Sequence, residues 1–228
     1  MAVIDANRAI RWIAKPLVFL LGLLPAAWLI AGLAGWPAAS LGANPVEKIQ
    51  DTLGIWGLRF LLVTLAVTPL RNWTGWTRLL AFRRMLGLFA FFYVTLHFLF
   101  YLFVDQGLDW RLLLEDIAKR TYITAGFTAL ILLVPLAATS TKRAMRRMGR
   151  RWQRLHRLVY PAAILGCTHF WWQVKADIRE PLIYALVLAA LLGWRWYRHR
   201  QRRAATLGAT VATVRSAQGP GGHLAPTV

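Results

Sequence analysis

The stretch MLGLFAFFYVTLHFLFYLFV, residues 85–104, decides the fold. It contains no Asp, Glu, Lys or Arg, and its only side chain that titrates near neutral pH is His97. A hydrocarbon core about 30 Å thick is crossed by a helix of roughly 20 apolar residues, so the segment reads as a transmembrane helix. Outward from it, five more stretches approach or meet that length: 16–36, 54–70, 122–138, 155–172 and 181–197. The segment at 155–172 is the weakest of these, because it holds His156, Arg157, Pro161 and His169. The expected fold is therefore an all-α membrane protein, a six-transmembrane-helix bundle. It comprises an N-terminal segment 1–15, a membrane domain 16–197 and a basic tail 198–228 that is small, polar and without regular structure from Ala204 onward.

The chain has 228 residues, is 57% hydrophobic with mean hydropathy +0.45, and sets 28 Lys plus Arg against 9 Asp plus Glu. In a soluble protein a net charge of +19 would suggest nucleic acid. Here the cations lie in short segments between apolar runs, where they face an anionic lipid surface, and no nucleic-acid face survives. Arg8, Arg11 and Lys15, then Arg71, Arg78, Arg83 and Arg84, then the run from Lys142 to Arg157, then Arg195 to Arg203 all fall on one side of the bundle. The opposite connections mix Asp105, Asp109, Glu115 and Asp116 with Arg111, Lys119 and Arg120. The positive-inside bias places both termini in the cytoplasm. The first span also has some features of a cleaved signal peptide, but its apolar run exceeds a typical signal core. The single cysteine, Cys167, excludes an intrachain disulfide, a Cys-ligated iron–sulfur cluster and covalent c-type haem attachment.

An ionisable ring inside hydrocarbon normally faces the bundle interior and has a partner. His97 lies thirteen residues beyond Arg84, and His169 fifteen beyond Arg154. At a rise of about 1.5 Å per residue both sit roughly 20 Å from the cytoplasmic end. Two neutral imidazoles at one depth, on helices 3 and 5, can take the two axial positions of a haem iron. The plainer alternative is two unrelated histidines, each bonded to a neighbouring helix. His156 stands thirteen residues before His169 and is turned from it by about 140° on an ideal helix. The two share a face only if Pro161 bends the chain. Three roles stay open for His156: ligand of a second haem with some other partner, contact with a quinone or flavin, or cap of the basic loop. Arg59, the other intramembrane charge, either snorkels outward or pairs with a haem propionate. His199 and His223, in the basic tail, read as solvated.

Four segments carry a resemblance: NPVEKIQDTLGIWGLRFLLVTLAVTPLR, RRMLGLFAFFYVTLHFLFY, TAGFTALILLVPLAATS and WQRLHRLVYPAAILGCTHFWW. Together they resemble the haem-binding membrane subunits of bacterial periplasmic protein-methionine-sulfoxide reductase systems, within the ferric-reductase-like transmembrane superfamily. The resemblance implies a b-type cytochrome of the inner membrane that takes electrons from the quinone pool. Its electrons would go to a periplasmic, molybdenum-containing catalytic subunit that repairs oxidised methionines. Carried over by position, the family's histidines fall on His97, His156 and His169. Members of the family also bind FMN, which nothing in this composition shows. Two other readings compete. A self-contained ferric reductase needs a flavin and dinucleotide domain, and no strand-linked G-x-G-x-x-G follows Tyr197, so a cytoplasmic flavin reductase would have to feed it. A non-haem transporter would predict interior acids or broken, repeated helices, and the spans contain no Asp or Glu.

Overall fold

The computed structural model describes residues 6–174 and 177–217; His223 and the end of the expected tail lie outside them. Among the described residues there is no β-strand. Four helices are long and apolar enough to cross a membrane: α1 (Ile10–Leu33), α2 (Pro45–Thr74), α3 (Thr77–Asp105) and, after a short α4 (Trp110–Lys119), α5 (Thr121–Ala138). Then come α6 (Lys142–Met148), α7 (Arg150–Leu155), α8 (Val159–Gln173) and α9 (Arg179–Ala217). The chain is an integral membrane protein. The two remaining expected spans fall on α8 and α9. The first has only 15 residues, and the second carries Glu180, Arg195 and Arg198 around its apolar stretch.

The chain divides into one unit ending at Leu188 and a second starting at Ala189. The second is helical as far as Ala217, so residues 204–217, expected to lack regular structure, continue α9. The physical reason is propagation: alanine-rich sequence extends a helix already nucleated upstream at little cost. His199 is exposed on it.

In the first unit the most extensive helix pairs are α2 with α3 and α5 with α8. Small residues allow both approaches. Ala90, Ala162 and Ala163 are fully buried, and a Cβ on Gly57 would stand 2.7 Å from Val94 Cγ2. α2 starts at a built N-terminus, where Asn44 accepts from the Glu47 N–H, Glu47 accepts from the Asn44 amide, and Pro45 occupies the first turn. α1 is tied to α3 by Tyr93, whose hydroxyl donates to the Gly22 carbonyl at 2.7 Å and accepts from the Ala26 N–H at 3.2 Å. These are positions i and i+4 of one helical turn, beside Pro25. Leucines and isoleucines such as Leu20, Ile30, Leu33 and Ile131 stay exposed on the outer faces, where lipid is the solvent.

Pro161 lies in the first turn of α8, where a proline is tolerated. A tight 3-10 turn, His156–Leu158, precedes it.

Candidate functional site

His97 projects from α3 and His169 from α8, and their ring centres lie 6.0 Å apart with planes at 80°. Each ring is held the same way. His97 Nδ1 donates to the Gln50 carbonyl on α2 at 3.0 Å, and His169 Nδ1 donates to the Tyr122 carbonyl on α5 at 2.7 Å. A carbonyl can only accept, so both rings carry their proton on Nδ1. Each Nε2 is left with a free lone pair and makes no hydrogen bond among the described residues. Beneath each ring is a glycine, one helical turn beyond the carbonyl. A Cβ on Gly54 would lie 3.1 Å from the His97 ring, and one on Gly126 would lie 2.7 Å from His169 Nδ1. Both histidines follow their carbonyl partner by 47 residues. The centre is thus two half-sites of one design, built on the two tightest helix pairs.

The rings face a cavity of about 470 Å³, in the range of cofactor sites. Leu58, Leu61, Leu130 and Leu133 give it apolar walls, and Gly166 and Ala162 leave it room. Its polar lining comprises Gln50, Asp51, Tyr101, Asp105, Gln106, Arg120 and Gln173. At its polar end Tyr101 donates to Asp116 at 2.6 Å, Gln106 donates to both Tyr101 and Asp116, and Arg120 pairs with Asp116 at 3.1 Å. The Gln50 side-chain oxygen is buried there without a hydrogen-bond partner, an amide that a bound group would satisfy.

A metal ion bonded to two imidazoles at the roughly 2 Å usual for histidine ligation separates their ring centres by about 6 Å. The observed spacing fits. Among the described residues, however, no group of three or more His, Cys, Asp or Glu side chains could hold a metal ion. The remaining ligands would come from outside the protein, as the macrocycle supplies them in haem, and the donor set fits that group.

The other two sequence-selected residues are elsewhere. Arg59 does not line this cavity. Five residues beyond Gly54, it is turned about 140° around α2; its Nε donates to Tyr184 at 2.7 Å and its guanidinium lies over Trp56. The arginine that lines the cavity is Arg120, which sequence reasoning counted only as a loop charge. His156 is also outside. It stacks on Trp152 with ring centres 3.8 Å apart, donates from Nδ1 to the Trp152 carbonyl at 3.1 Å, and keeps a buried Nε2 without a hydrogen-bond partner.

Fold and site together define a class: an all-helical integral membrane protein with two imidazoles opposed across an internal cavity. Residues 53–167 match the model of the ferric reductase like transmembrane component family, a stretch that includes His97 and stops just short of His169. The chain is 51% identical over 200 residues to the protein-methionine-sulfoxide reductase heme-binding subunit MsrQ of Xanthomonas oryzae pv. oryzae, covering 84% of this chain and 89% of the relative. To the protein of the same description from Xanthomonas campestris pv. campestris it is 57% identical, over 72% of this chain and 76% of the relative. For that of Bordetella pertussis the identity is 52%, over 82% and 91%. No solved structure matches. The chain belongs to the MsrQ family of protein-methionine-sulfoxide reductase subunits.

Proposed function

We propose that this chain is a six-span b-type cytochrome subunit of the bacterial inner membrane, holding haem between His97 and His169. It would take electrons from the quinone pool and pass them to a periplasmic, molybdenum-containing methionine-sulfoxide reductase. The observation that carries the cofactor reading is the pair of Nδ1-anchored imidazoles lining one cavity, where among the described residues no group of three or more His, Cys, Asp or Glu could hold a metal ion. The donor and the catalytic partner rest on the family. The orientation, with both termini cytoplasmic, rests on the distribution of Arg and Lys.

Haem bound between the rings supplies a one-electron carrier inside the membrane. The protein's own groups do the rest. The Gln50 and Tyr122 carbonyls hold each imidazole in one tautomer and one orientation and make its Nε2 a better donor to iron. The leucine walls keep water from the centre, which sets its dielectric and hence its potential. Arg120, at the polar end, would offer a haem carboxylate a charge-assisted partner, while Tyr101 and Gln106 hold the Asp116 carboxylate beside it. In this reading Arg120 takes the role first sought in Arg59, and Arg59 braces α2 against Tyr184. His156, held by Trp152, caps the basic loop. FMN enters on family resemblance alone, and no residue is assigned to it. The membrane domain runs over 16–197, between the N-terminal segment 1–15 and the tail 198–228.

The test is an optical spectrum of detergent-purified protein, oxidised and dithionite-reduced, with His97→Ala and His169→Ala alongside. Sharp reduced b-type bands in the wild type, lost in both variants, are expected. Full haem content in either variant would falsify the ligand assignment.

A further inference from the structure

A second pocket, of about 430 Å³, lies well away from the histidines, where the ends of three apolar helices meet. It is lined by Ile10, Arg11 and Lys15 from the start of α1, Thr77, Arg78 and Ala81 from the start of α3, and Lys142 just beyond the end of α5. Local geometry aims these residues together. A π-helical turn at Ile10–Ala14 brings Arg11 and Lys15 onto one face, and a 3-10 turn at Thr77–Leu79 presents Thr77 and Arg78 where α3 begins. The Thr141 hydroxyl caps the first turn of α6 and fixes Lys142 there.

Four cations converge on this space, and no carboxylate lines it. Among the described residues none of the four makes an ion pair. Like charges gathered without an acid repel one another unless an anion sits between them. Trp12, Trp73 and Trp76, all exposed, flank the pocket in sequence, and tryptophan collects at the depth of lipid headgroups. Ile10 and Ala81 add an apolar wall for the part of a lipid just below its phosphate. Basic pockets between transmembrane helices on the positively charged side are suited to anionic headgroups.

We propose that the pocket framed by Arg11, Lys15, Arg78 and Lys142 binds the phosphate of an anionic phospholipid headgroup. Occupied, it ties the starts of α1 and α3 to the end of α5 and neutralises their mutual repulsion. The assignment is independent of the haem reading.

The experiment is native mass spectrometry of the full chain in detergent, titrated separately with phosphatidylglycerol, phosphatidylcholine and inorganic phosphate. The variant is Arg78→Gln/Lys142→Gln, and the control is Arg147→Gln/Arg151→Gln, equally exposed cations that do not line the pocket. The wild type should retain phosphatidylglycerol over phosphatidylcholine. The pocket variant should lose that retention by roughly tenfold or more, the scale expected for two basic residues at an anionic surface, while the control keeps it. Should the double variant not fold, Lys142→Gln alone gives a smaller loss that Lys142→Arg restores. Equal retention of the two lipids, or equal loss in the control, overturns the proposal. Displacement of phosphatidylglycerol by millimolar inorganic phosphate, with equal protection against heat, overturns the lipid assignment in favour of a soluble phosphate compound.

Discussion

Gly126 and Gly54 show how little space each ring has. Alanine is favoured over glycine in a helix interior by about 1 kcal/mol, so local propensity alone makes Gly126→Ala stabilising. The added Cβ, 2.7 Å from His169 Nδ1, instead pushes the ring off the Tyr122 carbonyl. Gly126→Ala is expected to lower the haem-to-protein ratio, measured as pyridine haemochrome per mole. Gly54→Ala, at 3.1 Å, should do so less. Tyr93 makes a different point, because its fully buried hydroxyl serves two backbone groups of α1. Tyr93→Phe should destabilise the protein by about 1–3 kcal/mol, the cost of stranding buried polar groups. Thermal unfolding in detergent would show it, with the reduced spectrum unchanged. An unaltered midpoint would mean that α1 satisfies those groups by itself.

The helical elements that matter most come in two pairs, and each pair supplies one carbonyl, one glycine and one histidine. α3 ends in a π-helical turn at Tyr101–Asp105 directly above His97. That wider turn places Tyr101 at the polar end of the cavity, within reach of Asp116 on α4 and Gln106. Asn44→Ala, which removes the cap of α2, should cost about 1 kcal/mol of stability. Because it acts through the helix end and touches neither ring, ligand binding should stay intact; a changed reduced spectrum would show that the start of α2 is coupled to the site. Arg120→Gln is expected to shift the haem midpoint in a redox titration, whereas Arg59→Leu should leave it where it is. The opposite pattern would return the carboxylate contact to α2.

At the scale of the molecule, green fluorescent protein fused to either terminus should fluoresce if both ends are cytoplasmic, and a dark fusion at one end would remove one span from the count. Four of the six expected spans were readable because hydrocarbon admits long uncharged runs and little else, and His97 stood out because an ionisable ring in such a run is conspicuous. What one dimension hides is rotation about the helix axis. For Arg59 both snorkelling and a haem propionate stood open; its turn around α2 sends it to Tyr184, while Arg120 lines the cavity. The half-sites were not legible in the sequence, because Gln50 and Tyr122 contribute only backbone oxygens, which no side-chain pattern reveals. The length of α9 was missed because polar, glycine-containing sequence was read without the helix that precedes it. The division of the site between two helix pairs also has a bearing on biogenesis. A ribosome that has released α3 into the membrane has made half a clamp, and the second half arrives only when α8 follows. If haem is held between His97 and His169 as proposed, its capture waits until α8 is made, and a chain that stalls before His169 carries no completed centre to load.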